Sequence, residues 1–224
     1  MAGGVTRRIV AIGGTGFEDA PALVPYLLSM ARGTRVLLLP TAGGDSDEGI
    51  KRGYVAFRGC DTTHLELFRR TVVDLRALLL AQDLIYVGGG NTANMLAIWR
   101  VHGLDGILRE VYADGVLLCG SSAGCICWFE CGITDSFGLG LAPLHDGLGL
   151  LAGSACPHYD SEERRRPVYT AAVRDGFPAG IALDDAVAAR YDDDRLVELV
   201  SARPGGRAFR VGAHGEEPLE VQAL

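Results

Sequence analysis

The sequence predicts an α/β domain: a mostly parallel sheet with helices on both faces, closed by small antiparallel strands at the C-terminal end. Three observations predict it. Short apolar runs alternate with segments of helical period through the first 130 residues, several of those runs end in glycine-rich turns, and the last third shortens into strand-like runs around polar turns. Strands separated by helices pair in parallel, and a sheet covered on both faces reads as unbroken apolar runs.

Each element follows from its local pattern. RIVAI at 8–12 is a first strand, closing in Gly13-Gly14-Thr15-Gly16. That turn fails the Gly-x-Gly-x-x-Gly fingerprint, because Asp19 stands where the third glycine belongs, so no nicotinamide cofactor is expected. Residues 20–31 carry Leu23, Tyr26, Leu27 and Met30 at helical spacing, and RVLLL at 35–39 is the second strand, ending in Pro40-Thr41-Ala42-Gly43-Gly44. Residues 47–59 read as a helix with Tyr54 and Phe57 on its apolar face. His64-Leu65-Glu66-Leu67 alternates as a strand, and 71–80 is helical, with Val73, Leu75 and Leu79 apolar. DLIYV at 83–87 is a buried strand that closes in Gly88-Gly89-Gly90-Asn91-Thr92, where Asn91 or Thr92 caps a helix running to Gly103. A further helix spans Leu104–Ala113, and 116–119 is the next strand.

Beyond Phe129 the chain is rich in glycine and leucine, and Asp135 and His145 fall in what reads as a long loop over 132–152. A strand over 153–158 ends in Pro157-His158-Tyr159-Asp160, and a helix follows over 162–174. Short strands at 181–183, 187–191, 196–201 and 208–211 close the chain. Composition shifts nowhere enough to mark a boundary, so 1–224 reads as one domain.

Composition excludes several classes. A net charge of −7 and no basic run longer than Arg164-Arg165-Arg166 argue against a nucleic-acid surface. No apolar run reaches bilayer length and the N-terminal stretch reads as a strand rather than a signal peptide, so no membrane partner and a cytoplasmic location are expected. The six cysteines sit mostly in apolar segments and read as buried free thiols. Cys125, Cys127 and Cys131 lack a regular zinc spacing, so no metal is expected.

The chain is organised around VLLCGSSAGCICWF at 116–129, a strand turning sharply into a helix. Gly-x-Ser-x-Gly puts Ser122 at the apex, where a strained backbone leaves no room for side chains on either flank. The Ala123 N–H then shares the space of the hydroxyl, and the helix it opens adds positive potential, so a nucleophile and half of an oxyanion hole arise from one turn. The Gly88–Asn91 turn likewise lets backbone N–H groups approach a ligand at a helix start. In a parallel sheet both turns fall at the carboxyl ends of the strands, where ligands collect.

A serine nucleophile needs a base and the base an orienter. Among five histidines, His158 ends a strand, so it and Ser122 are expected at neighbouring tips of one sheet. Asp184, Asp185 and Asp135 are the acids in reach, and spacing does not choose among them. A strand end holds an imidazole more rigidly than a long loop, which favours Asp185.

These motifs together resemble the peptidase E and cyanophycinase family of serine hydrolases: Val87-Gly88-Gly89-Gly90-Asn91-Thr92, Gly120-Ser121-Ser122-Ala123-Gly124 and Pro157-His158-Tyr159-Asp160, in this order. The resemblance covers most of the chain. It implies a flavodoxin-like sheet related to class I glutamine amidotransferase domains, with Ser122 attacking a scissile carbonyl and His158 moving its proton. It also implies an oxyanion hole from the Ala123 N–H and the Gly89–Gly90 loop beside Asn91, and a third member at Asp135 in the aspartyl dipeptidase branch or at Asp185 in the cyanophycinase branch. The dipeptidase branch binds an aspartyl side chain through an arginine of the helix after the histidine, and Arg164, Arg165 and Arg166 lie there. The expected substrate is a short peptide of open P1 residue, and a homodimer is compatible with such a sheet. Two other classes fit parts of the pattern. One is an α/β-hydrolase esterase ordered Ser122, Asp184 or Asp185, His214; the other is a non-catalytic nucleotide- or partner-binding module.

Overall fold

Residues 5–224 are described by a computed structural model. The strands divide between two sheets rather than one. The first, of eight strands, contains in order β1 (Arg8–Ile12), β5 (Leu117–Ser121), β4 (Leu84–Val87), β2 (Arg35–Leu39) and β3 (Asp61–His64), all parallel. On the other side of β1 stand β10 (Val187–Asp192), antiparallel to β1, then β11 (Arg195–Ser201), antiparallel to β10, and β14 (Gln222–Ala223) at the edge, parallel to β11.

The second sheet has six strands. Its parallel centre is β6 (Phe129–Thr134), β8 (Leu151–Cys156) and β9 (Gly180–Leu183). It is flanked by antiparallel β7 (Ala142–Leu144) on one side and β12 (Ala208–Gly212) with β13 (Gly215–Leu219) on the other. The expected α/β class with closing antiparallel strands is present, with parallel pairing from β1 to the edge strand β3 in the first sheet and through β6, β8 and β9 in the second. The 132–152 stretch, read as loop, contains the end of β6 and all of β7.

Side chains alternate across the first sheet, and each face meets helices. Val10, Ile12 and Leu38 pack on Leu23 and Leu27 of α1 (Leu23–Met30) and on Phe57, which follows α2 (Asp47–Ala56). Ile9, Leu37 and Ile85 face Leu79 of α3 (Leu75–Leu80), Trp99 of α4 (Thr92–His102) and Leu108 of α5 (Leu104–Ala113). That same face receives Phe129, Leu151 and Ile181 of the second sheet, so one continuous core joins the sheets. The far face of the second sheet is covered by α7 (Arg165–Arg174) through Tyr169 and Val173.

One strand expectation shifts. The chain pairs through 61–64, not 64–67, because the Asp45 carboxylate accepts from the amides of Leu67 at 2.6 Å and Phe68 at 2.9 Å and pulls that stretch out of the ladder. Val73, expected on an apolar helix face, lies before α3 and is exposed, since Asp74 caps the helix by accepting from Ala77 N–H at 2.9 Å.

Candidate active site

Ser122 sits at φ 59°, ψ −110°, a left-handed conformation that costs a non-glycine residue energy and persists where its surroundings enforce it. Neither flank has room for a side chain. A β-carbon at Gly120 would lie 2.6 Å from Gly124 O and 2.8 Å from Val87 O, and one at Gly124 would collide with Val87 O. The helix that follows, α6 (Ala123–Ile126), is a single turn. Positive potential at the hydroxyl therefore comes from individual N–H groups rather than from a long helix dipole, as the sequence pattern had suggested.

His158 and Ser122 belong to different sheets, contrary to the expectation of two tips on one sheet. Ser122 follows β5 in the first sheet and His158 follows β8 in the second. The turn after β1 joins them: His158 N–H donates to Gly13 O at 2.8 Å, Ser122 N–H to Ile12 O at 3.2 Å, and Ala186 N–H to Gly14 O at 3.0 Å. Three strand ends from two sheets converge on Ile12-Gly13-Gly14.

There the Ser122 hydroxyl lies 2.8 Å from His158 Nε2, and His158 Nδ1 lies 2.8 Å from Asp185 Oδ1. With Nδ1–H donated to the carboxylate, Nε2 is left to accept from the hydroxyl. The His158 and Asp185 side chains are 20% and 24% exposed, screened from water yet reachable. The hydrogen bond from His158 holds the Asp185 carboxyl below the usual range against the opposing effect of burial, helped by Ser161 and Arg203. Its neighbour Asp184 behaves oppositely. It is 1% exposed, accepts from Arg207 N–H at 3.1 Å and Nε–H at 3.0 Å, and burial pushes its carboxyl up.

A model of peptidase family S51 matches residues 9–199, which span both sheets and all three of these side chains. The chain belongs to peptidase family S51. It is 44% identical, over 96% of its length and 96% of the relative's, to the uncharacterized peptidase YgaJ of Bacillus subtilis (strain 168). The fold is shared with a solved peptidase from an acI-B1 Actinobacterium, with TM-score 0.69 and 18% identity over 97% of this chain and 96% of that one. It is shared as well with a candidate peptidase E from Listeria monocytogenes EGD-e, with TM-score 0.65 and 20% identity over 86% of this chain and 97% of that one.

In this S51 peptidase the other sequence candidates fall as follows. Asp135 is exposed at the end of β6 and makes no hydrogen bond to His158; it lines a cleft of about 320 Å³ with Gly90, Asn91, Ser122, His158, Glu162 and Arg165. Gly89 comes so close to Ser122 that a β-carbon there would sit 3.2 Å from Ser122 Cβ, while Gly90 adopts φ 138° and approaches Ala42 O. Among the described residues, no protein acceptor takes the Gly89, Gly90 or Ala123 N–H. Asn91 is committed to structure: its Oδ1 accepts from Asn94 N–H at 2.8 Å to cap α4, and its Nδ2 donates to Ser136 O at 3.1 Å. His214 is exposed in the turn between β12 and β13, and His145 stacks on Phe177, so neither reaches Ser122.

The contacts of several residues of the S51 site carry no sequence signal, although Asp160 closes a motif and Arg165 is one of three candidate arginines. Asp160 accepts from Asp185 N–H at 2.8 Å and is itself paired with Arg203. Arg165 is buried in the cleft wall, donating from Nε to Glu162 at 2.7 Å and from its guanidinium to Ile133 O at 2.7 Å. Gly14 is the exception, since its turn is visible after the first strand, though as an incomplete cofactor loop. Among the described residues no group of three or more His, Cys, Asp or Glu side chains could hold a metal ion, and no helix is long and apolar enough to cross a membrane.

Proposed function

We propose that this chain is a serine peptidase that hydrolyses short peptides through Ser122, His158 and Asp185. The observation that carries the reading is the unbroken hydrogen-bonded run from the Ser122 hydroxyl through His158 to the Asp185 carboxylate, 2.8 Å at each step. In the reaction, Ser122 Oγ attacks the scissile carbonyl carbon while its proton passes to His158 Nε2. The oxyanion is received by the Ala123 N–H and a Gly89 or Gly90 N–H, groups that meet no protein acceptor among the described residues. Collapse transfers the proton to the departing amine and leaves an acyl ester on Ser122. Water, deprotonated by the same imidazole, then splits that ester, releasing the acid and restoring the hydroxyl. Asp185 steadies the imidazolium formed in both steps, so the cycle needs no cofactor.

A cleft of about 320 Å³ beside Ser122 suits one or two residues rather than a folded chain, which supports the short-peptide reading. A dipeptide and tripeptide panel tests it, run on the native protein and on Ser122→Ala, with fluorophosphonate labelling as a second readout. Hydrolysis and labelling that vanish together in the variant are the expected result. Hydrolysis surviving in Ser122→Ala would remove the hydroxyl from the mechanism.

A further inference from the structure

The Gly88–Asn91 turn separates two cavities. Gly90 and Asn91 face the polar cleft that holds Ser122 and His158; Gly88 and Gly89 face a second cavity of about 390 Å³ on the other side. That second cavity runs between the Thr15–Glu18 turn and α2 and is walled by Phe17, Leu38 and Tyr86, with Arg52 and Glu18 on its rim. Nothing described so far uses it.

Two features mark it as built space. Thr15 adopts φ 102°, an outlier for a β-branched residue, and its carbonyl is held there by the Ser121 hydroxyl, next to the nucleophile, at 3.2 Å. Arg52 is exposed, and among the described residues no carboxylate lies within ion-pair distance of it. An unpaired cation thus stands on the rim of a cavity that begins at Gly88 and Gly89 of the glycine turn.

We infer that this cavity is the leaving-group subsite: it takes the amine half of the peptide, with an apolar side chain against Phe17, Leu38 and Tyr86 and the free C-terminal carboxylate on Arg52. The inference rests on the peptidase reading above. A carbonyl whose oxygen points into the glycine turn has its acyl and amine substituents on opposite sides of that turn. The acyl half then occupies the cleft lined by Asp135, Glu162 and Arg165, and the amine half has this cavity. With the carboxylate on Arg52, the preferred peptides are those whose C-terminus lies within about two residues of the cut, as a cavity of about 390 Å³ allows.

The test is calorimetric titration of Ser122→Ala protein with Ala-Leu-Leu and with its C-terminal amide, alone and with Arg52→Gln or Arg52→Lys added. The acid is expected to bind about tenfold more tightly than the amide, the scale of one charge-assisted hydrogen bond. Arg52→Gln is expected to bring the ratio to near one, and Arg52→Lys to keep most of it. Equal binding of acid and amide, no binding of either at millimolar concentration, or a preference that survives Arg52→Gln would overturn the assignment. Native-protein kcat/KM on the same pair separates the two claims. Acid-selective binding without turnover sinks the peptidase reading and keeps the site, whereas turnover indifferent to the carboxylate sinks the subsite alone.

Discussion

Gly14 lies against the imidazole of His158. A β-carbon placed there would overlap the ring at Cε1 and Nδ1 and meet Asp185 Oδ1 as well. Gly14→Ala therefore forces the imidazole off its line between Ser122 and Asp185, while the backbone at this position is compatible with alanine. Misplacement of about 1 Å costs on the order of 100-fold in rate. The expected result is a fall of that size in kcat with the urea midpoint little changed. A normal kcat would mean that the pair tolerates displacement.

Asp185 and Asp135 are separable by substitution. Asp185 touches His158 and Asp135 does not, so Asp185→Asn, which turns the imidazole to the wrong tautomer, should lower kcat by roughly 10³- to 10⁴-fold. Asp135→Asn should leave kcat near that of the native protein and act, where it acts, on KM through the cleft wall. Steady-state kinetics on one peptide decide it, and the reverse ordering would move the orienting role into the loop after β6.

Asp185 also predicts an acid limb in stability. Its carboxyl is held below the usual range, chiefly by His158, so the folded state favours the ionised form. That contribution is fully present above the unfolded value of about 3.9 and disappears as pH falls through the lower folded value. The gap in urea midpoint between native protein and Asp185→Asn should therefore be widest at neutral pH and close below about pH 4. Asp184, whose carboxyl burial pushes up, works in the opposite sense, and it remains in both proteins, so the comparison cancels it.

The two-sheet arrangement bears on what a sequence can reveal. Ser122 is legible because an elbow needs glycine on both sides, and Gly120 and Gly124 have no room for more. His158 and the glycine turns are legible because chemistry gathers at strand ends. The split into two sheets is not, since the apolar runs of β5 and β8 record burial and say nothing about which neighbour provides it. Leu65-Glu66-Leu67 alternates like a strand, yet a carboxylate 22 residues earlier captures its amide. The choice of Asp185 over Asp135 was open for the same reason: it depends on the seam where β9 leaves one sheet and β10 enters the other, a long-range contact with no local pattern.

Ser136 should prove a positioning residue for the glycine turn. Its hydroxyl accepts from the first amides of α4, Thr92 at 2.9 Å and Ala93 at 3.3 Å, and its carbonyl takes Asn91 Nδ2. Ser136→Ala leaves the Thr92 and Ala93 amides without their acceptor while the Asn91 cap remains, and should cost about 1 kcal/mol in stability. Because Gly89 and Gly90 lead directly into that helix, kcat should fall further than the stability loss explains, with KM nearly unchanged. A variant destabilised but fully active would confine Ser136 to a structural role.

Arg203 supplies the most distant test of the same geometry. It pairs with Asp160, whose other oxygen accepts from Asp185 N–H at 2.8 Å, so the guanidinium fixes the backbone that aims the Asp185 side chain at His158. It also adds positive charge that favours the ionised Asp185. Arg203→Ala should lower kcat about tenfold with KM retained, since it loosens an orienting group without touching substrate. The acid limb of stability set by Asp185 should also move to higher pH, because losing the cation makes Asp185 easier to protonate. Arg203→Lys, which keeps the charge but not the planar fork, should hold the limb in place while recovering only part of kcat. A limb that stays put in Arg203→Ala would assign the loss to packing instead of charge.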